Sequence, residues 1–356
     1  MTASPLGAGS VEGDGSWPPS SGGSLPFEAF MDAALYDPRY GFYGSRAGSP
    51  GRRGDFLTAV EVGPLFGAVV ARYLDQCWAR LGQPNPFLVV DAGAGPGTLA
   101  RTIRAAAPRC GPALALQLVE RSQPARSAHP PGVVSVASLA EVPSAHVIVA
   151  NELLDNLAIG LYEWHAGGWW EVWVGPDGPQ RRSAPPPVPG RPHPPAALDA
   201  LVPVPLRVDG LRLPWAQQAA DWISHALAKL EPGGQLVVLD YGADTVTLAT
   251  RADNGWLRTY QGHQRGTAPW VDPGIQDITA EVPFDQLPVP HRRSTQAEWL
   301  QRWGLEALVS EGRQQWQTRA GIGDLAALMG RSRIREAEAL TQPGGLGDFV
   351  VCEWQA

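Results

Sequence analysis

The residues with the plainest chemical potential lie between Phe87 and Ala100, in the stretch F-L-V-V-D-A-G-A-G-P-G-T-L-A. An apolar run ends in Asp91, glycines follow at Gly93, Gly95 and Gly97, and an apolar-periodic stretch starts at Thr98. That order describes a buried strand, a glycine turn and the beginning of a helix. Glycine has no Cβ and tolerates positive φ, so such a turn lets the backbone approach a ligand closely. The helix start behind it offers unpaired N–H groups to polar or anionic atoms. A dinucleotide fingerprint counted from Gly93 needs its third glycine at position 98, where Thr98 stands, and no G-K-[ST] follows to make a P-loop.

Two further groups of polar residues end apolar runs. Glu120 follows Leu114 to Val119, where a carboxylate accepts the ribose hydroxyls of an adenosine. A solvated strand-end carboxylate is the plainer alternative. Asn151-Glu152-Leu153-Leu154-Asp155 follows the run ending at Ala150, at the sheet edge where open α/β folds bind ligands. Polar groups there can orient an acceptor lone pair toward an electrophile. At i, i+3 Glu152 and Asp155 would share a helical face and clasp a cation. The same residues would also make a helix N-cap cluster, with Asn151 as the cap.

The elements that must position these residues alternate in type. Phe27, Phe30, Met31 and Ala34 have helical spacing, Tyr40 to Gly44 reads as an aromatic loop, and Pro64 to Leu81 is helical again. Beyond the glycine turn come a helix over Thr98 to Ala107 and apolar runs at Leu114 to Val119, Val133 to Val136 and Val147 to Ala150. This is an α/β pattern, a mostly parallel central sheet with helices on both faces. Leu161 to His165 and Trp169 to Val174 then flank Ala166-Gly167-Gly168 as a hairpin, and Gly175 to Pro205 is a proline-rich excursion. A helix over Trp215 to Leu230 leads through Pro232-Gly233-Gly234 to a strand, Leu236 to Leu239, ending in Asp240-Tyr241-Gly242. Thr259 to Ala280 reads as loop, followed by short helices over Gln296 to Arg302 and Gly323 to Met329 and a closing strand over Phe349 to Glu353. The expected organisation is a disordered tail over 1–24, an N-terminal helical extension over 25–86 that contributes to the active site, and a main domain over 87–356 with an insertion at about 160–214.

The bulk composition narrows the function classes. The 356 residues are 44% hydrophobic with 14 tryptophans, which describes a globular chain. A net charge of −7 excludes a whole-surface polyanion binder, so nucleic acid is not an expected partner. Lys229 is the single lysine, a bias that fits GC-rich coding as well as it fits any recognition role. Cys77, Cys110 and Cys352 are scattered without metal-ligand spacing, so reduced thiols and no metal site are expected. No apolar stretch reaches 18 residues, which predicts no membrane span, and 1–24 lacks the apolar core of a signal peptide. Together these features predict a cytoplasmic location.

The acidic-x-Gly-x-Gly-x-Gly spacing from Asp91 to Gly97 resembles the first motif of Rossmann-like methyltransferases that use S-adenosylmethionine. The resemblance becomes specific with Ala34-Leu35-Tyr36-Asp37-Pro38 through Gly41-Phe42-Tyr43, and with Gly54-Asp55-Phe56-Leu57-Thr58-Ala59-Val60-Glu61. It continues through Asn151 to Asp155, Leu239 to Gly242, Leu257-Arg258-Thr259-Tyr260 and Asp272 to Ala280. Over roughly residues 25 to 355 the chain resembles the MidA family, which includes the mitochondrial protein-arginine methyltransferase needed for respiratory complex I assembly. Val60 stands where the family usually has proline, Asp91 where it often has glutamate, and Ala158 replaces a common proline.

The resemblance implies a class I methyltransferase with S-adenosylmethionine as cofactor, held by Asp91, Gly93, Gly95, Gly97, Glu120 and Asn151. Asn151, Glu152 and Asp155 would face the acceptor, and the family implies places for Asp55 and Glu61 near cofactor and acceptor. From their residues alone, Gly54-Asp55-Phe56 is a turn with Thr58 as a cap, and Asp277 and Thr279 belong to an ordinary turn. Tyr241 would line the pocket or pack at a strand end. The expected partners are a methyl acceptor, with a protein arginine as the first expectation, and a second copy of the chain. Other readings are a small-molecule methyltransferase of secondary metabolism, an assembly factor that binds the cofactor without catalysis, and a nicotinamide-dependent oxidoreductase, which Thr98 disfavours.

Overall fold

The structure is a computed structural model and describes residues 23–45, 58–261 and 264–356. Asp55 and the tail over 1–22 therefore lie outside the described residues. The centre is a seven-stranded sheet built from β1 (Phe87–Ala92), β2 (Leu114–Val119), β3 (Val134–Val136), β4 (Ala145–Asn151), β5 (Leu230–Asp240), β6 (Arg292–Thr295) and β7 (Val350–Gln355). Their spatial order is β3-β2-β1-β4-β5-β7-β6. The first five of these neighbours pair in parallel, and β7 runs antiparallel to both β5 and β6.

The strand order reverses direction between β1 and β4, which opens a crevice at their carboxyl ends. Register aligns those ends. Ala92 of β1 sits beside Ala150 of β4, and Asn151 of β4 sits beside Leu239 of β5. Gly93, Glu152 and Asp240 thus emerge side by side from three adjacent strands. The strands are near-continuous apolar runs because both faces are covered.

One face packs against α2 (Pro64–Arg80) and α3 (Thr98–Ala105), among which Phe66, Val69, Tyr73, Leu99 and Ile103 are fully or nearly fully buried. The other face packs against α4 (Gln217–Ala228) through Ala219, Ile223 and Ala226. A separate five-stranded antiparallel sheet holds Gly160–His165, Gly168–Gly175, Gly178–Ser183 and Arg212–Trp215, with Leu25–Pro26 added. The helix α1 (Phe27–Tyr36) lies on it. Ten residues make a marginal helix alone, so docking decides its formation. Phe27 and Phe30, at 0% and 1% exposure, each contribute about 1.5–3 kcal/mol by burial.

Several expectations need correction. Thr259 to Ala280 is not simply loop, because Leu257–Gln261 pairs antiparallel with Asp277–Ala280. Polar Thr259, Asp277 and Thr279 interrupt the apolar pattern there. The proline-rich excursion contains the strand Gly178–Ser183 and the helix Pro194–Leu201. The Pro-Gly-Gly segment lies inside β5 at a register shift between Leu230 and Gln235, where it bulges and does not end the strand. Near the end of the chain, α5 (Leu305–Arg319) was hidden by its polar sequence, and α6 (Leu325–Leu340) is much longer than its apolar start.

Glu336 of α6 fastens this helical hairpin to the body of the protein. Its carboxylate accepts a hydrogen bond from the buried Leu65 N–H at 2.8 Å, in the first turn of α2. A Cβ on Gly63 would collide with that carboxylate at 2.3 Å, so the approach needs glycine. Removing the carboxylate leaves a buried donor unpaired. Glu336→Ala is expected to lower stability by about 1–3 kcal/mol in chemical denaturation, and an unchanged unfolding midpoint would show that the contact is dispensable.

Candidate active site

At the carboxyl edge of the sheet is a cavity of about 800 Å³, within the range of small-molecule sites. The glycine loop forms one wall. Gly93, Gly95 and Gly97 all have positive φ (71°, 50° and 81°), and Gly97 is the left-handed residue that starts α3. A Cβ on Gly95 would meet nothing within 4 Å, whereas one on Gly97 would strike Pro130 at 2.8 Å. Gly93 and Gly95 line the cavity. Gly97 shapes the turn from behind.

Glu120 reaches across this loop from the end of β2. Its carboxylate accepts from the Gly95 N–H at 2.9 Å and from the Ser122 N–H at 2.6 Å. Burial raises its pKa, and those N–H groups oppose the rise. Asp91 lies under the floor, 4% exposed, with Oδ2 lacking a hydrogen-bond partner among the described residues. Burial, then the charge of Glu120, pushes it up to about 7.

The turn after β4 carries the acceptor candidates, but not on a helical face. Only Leu154–Asn156 is helical, as one 3₁₀ turn, and Glu152 has φ 53°. The helical-face and N-cap readings of Glu152 and Asp155 are therefore both replaced. A non-glycine residue in the left-handed region is strained. Here it turns the Glu152 carboxylate back to accept from the Ala59 N–H at 3.0 Å and from Asn151 Nδ2 at 2.9 Å. Burial pushes Glu152 up to about 8, with smaller raising contributions from Asp240 and Glu61.

Asp155 is 6% exposed, lines the cavity, and has a buried Oδ1 that lacks a hydrogen-bond partner among the described residues. Burial raises its pKa well above the carboxylate range, and the charges of Asp240, Asp277 and Glu152 add to this. Behind it, fully buried Asp240 accepts from the N–H groups of Leu154 (2.7 Å), Tyr241 (2.9 Å) and Asp155 (3.4 Å). Asp240 ties the end of β5 to the turn that follows β4.

The remaining wall comes from distant segments. Tyr36 and Tyr43 stack with ring centroids 5.7 Å apart. Tyr43 donates its hydroxyl hydrogen bond to Asp277 at 2.8 Å, Asn156 Nδ2 donates to the same carboxylate at 3.1 Å, and Tyr241 donates to Thr279 at 2.6 Å. Glu61 and Thr58 border the same space. The structure thus brings Gly93, Gly95, Glu120, Asn151, Glu152, Asp155 and Glu61 to one cavity and sets Asp91 and Gly97 just outside it. Sequence reading missed Tyr36, Tyr43, Asn156 and Asp240 as parts of the site. For the tyrosines, the signals were the aromatic density around Tyr40 to Tyr43 and the motif from Ala34 to Tyr43 that carries the family resemblance.

The arrangement suits S-adenosylmethionine. The open space at Gly95 admits a close backbone contact, and the loop amides and α3 N-terminus favour a carboxylate. Asn151 lines the cavity with an Oδ1 that lacks a hydrogen-bond partner among the described residues, and the acidic surroundings favour a sulfonium cation. A sheet of this order, with a glycine loop after β1 and an acid after β2, defines a Rossmann-like methyltransferase fold.

Comparisons with known proteins agree with that class. A model describing S-adenosyl-L-methionine-dependent methyltransferases matches residues 69–301. The chain belongs to this family, the MidA family of S-adenosylmethionine-dependent methyltransferases. It is 26% identical to the mitochondrial protein arginine methyltransferase NDUFAF7 of Mus musculus over 75% of its own length, and 27% identical to the human protein over the same share. Those matches span 66% and 65% of the two relatives, just under two thirds of their length. A COG1565 superfamily member from Burkholderia thailandensis, solved with S-adenosyl-homocysteine bound, superposes with a TM-score of 0.75 at 25% identity, covering 95% of this chain and 89% of that one.

The expectation of a cytoplasmic location is overturned, because the matched relatives are named as mitochondrial proteins. Composition misled here because scattered, reduced thiols and the lack of a secretory h-region do not separate one reducing compartment from another. Among the described residues no helix is long and apolar enough to cross a membrane.

Two measurements test the site. Gly95→Trp fills the loop's open side and Glu120→Arg reverses a charge in the cradle, so each is expected to abolish S-adenosylmethionine binding in titration calorimetry. Retained affinity in either would remove that residue from the cofactor site. The raised carboxyls also set a pH dependence. Folded Glu152 keeps its proton up to about 8, whereas the unfolded side chain loses it near the ordinary 4.5. Between those values the unfolded state binds fewer protons, so stability falls as pH rises. Asp91, raised from 3.8 to about 7, acts in the same direction. Glu152→Gln should therefore show a shallower decline of melting temperature between about pH 5 and pH 8 than the parent protein; parallel curves would contradict the burial of an ionisable group there.

Proposed function

We propose that the protein transfers the methyl group of S-adenosylmethionine to a cationic nitrogen, the guanidinium of a protein arginine. The observation that carries this reading is the convergence of Glu152, Asp155 and Asp277 on the cavity that also holds the glycine loop. The relatives named protein arginine methyltransferases support it. A guanidinium is charged at neutral pH and presents a planar fork of donors. Carboxylates match that fork, and Oδ1 of Asp155, without a partner among the described residues, is an available acceptor.

When bound, S-adenosylmethionine supplies an electrophilic methyl group on sulfur. The chain's task is alignment and exclusion of water, which for such a displacement carries much of the rate. Glu152 and Asp155 orient the guanidinium, and Asn151 shapes the junction between the cofactor cradle and the acceptor side. Burial and Asp240 raise the proton affinity of Asp155, so a carboxylate held ionised by the bound guanidinium can take up the proton that leaves the methylated nitrogen. Glu61, from the segment whose Ala59 N–H donates to Glu152, adds a further carboxyl to the lining. Asp55 keeps the expectation that its motif implies.

We further propose that 25–86 is part of the catalytic unit. Tyr36, Tyr43, Thr58 and Glu61 all come from it and line the cavity. A small-molecule acceptor remains the second reading, because the cavity volume alone accommodates one.

The test is incubation with methyl-labelled S-adenosylmethionine and fractionated cell extract, followed by mass spectrometry of labelled protein. Label on arginine supports the proposal, and label only in small molecules sinks it. Glu152→Gln and Asp155→Asn are each expected to lose on the order of 10²-fold in transfer while retaining cofactor affinity. Full activity in both variants would remove the carboxylate clamp.

A further inference from the structure

The antiparallel pair α5 and α6 has a buried root and an exposed end. Leu305, Leu308 and Val309 anchor the root in the core, as does Leu340 at the end of α6. The helices touch backbone to backbone where Gly312 faces Gly330, since a Cβ on either would lie under 3 Å from the other's carbonyl oxygen. Beyond that crossing lies a cluster of apolar side chains in solvent. Ile322, Leu325, Leu328 and Met329 are 69%, 72%, 55% and 50% exposed. Soluble surfaces tolerate such residues singly, but a cluster at one tip marks a binding face.

The charge around this tip is opposite to that of the chain as a whole. Residues 313–335 carry Arg313, Arg319, Arg331, Arg333 and Arg335 against the single carboxylate Asp324, in a protein of net charge −7. Arg319 pairs with Asp324, while Arg313 and Arg333 pair toward the root with Glu306 and Glu311. Arg331 lies over the Trp316 ring at 5.2 Å. Apolar side chains at the tip, a tryptophan behind them and an arginine collar are the composition of a segment that lies in a bilayer interface.

We propose that the end of this hairpin docks on an anionic lipid bilayer. Ile322, Leu325, Leu328 and Met329 enter the boundary between headgroups and acyl chains, and the arginines meet the lipid phosphates. A second copy of the same tip is disfavoured by like charge. An acidic protein is disfavoured by shape, because four side chains on a convex end offer less than the roughly 800 Å² per partner that a stable protein interface uses. The methyl acceptor plays no part in this inference, and the two readings fail independently.

Co-sedimentation of the full chain with vesicles of equal parts phosphatidylcholine and phosphatidylglycerol, at low salt, is the test. Binding is expected to the mixed vesicles and to be much weaker on phosphatidylcholine alone. Arg331→Ser/Arg335→Ser should weaken it on the order of tenfold. Leu325→Asp/Leu328→Asp should abolish it with cofactor affinity unchanged. Ile322→Asp, in the turn outside both helices, should weaken binding without disturbing either helix, so the prediction stands even where the double variant misfolds. Absence of binding by the parent protein, equal binding to both vesicle types, or parent-like binding by Ile322→Asp would each overturn the proposal. So would a dimer in ultracentrifugation that Leu325→Asp/Leu328→Asp dissociates in a protein that ignores vesicles, since the tip would then be a self-association face.

Discussion

Burying carboxylates is the constraint around which this site is built. Asp91, Glu152, Asp155 and Asp240 all lie at the carboxyl edge of the sheet, in surroundings that raise every one of them. An unpaired buried charge is costly. The fold offsets that cost in three ways. Backbone N–H groups donate to Asp240 and Glu152, side chains donate to Asp277, and protons remain bound at pH values where exposed carboxyls would have lost them. Each device requires particular strand ends to be adjacent, and the parallel register of β1, β4 and β5 makes them so.

Two kinds of order meet in the cavity. One wall is local, a strand, a glycine turn and a helix within Phe87–Ala105, completed by Glu120 one strand further on. The other wall, the proposed acceptor side, is assembled from α1, the segment after Thr58, the turn after β4 and the strand Asp277–Ala280.

Legibility followed the same division. Asp91 to Gly97 could be read because its chemistry sits in consecutive residues with a fixed period, and β1, β2 and β4 could be read because strands buried on both faces are continuous apolar runs. Glu152 and Asp155 do line the cavity, but not in the helical context their spacing suggests. Nothing in their spacing announces that Glu152 takes a left-handed backbone, which removes the helix their i, i+3 separation suggested. The Tyr43–Asp277 bond joins residues 234 apart, and no period carries information over that distance. The α5 helix was missed because a hairpin anchored only at its root needs few apolar residues, and Glu336 was unreadable because its partner is a backbone N–H.

The position of β7 has a consequence for how the protein comes into being. This strand is formed by residues 350–355, yet it lies inside the sheet, between β5 and β6. Until it arrives, β5 has one open edge and β6 has no neighbour. A nascent chain emerging from a ribosome therefore carries a finished glycine loop on an unfinished sheet. The apolar strand edge of β5 stays open to wrong pairings until residues 350–355 pair with it. Closure of the sheet that carries the site therefore waits on a strand far along the chain from β5, and the interval before it is when the open edge most needs protection.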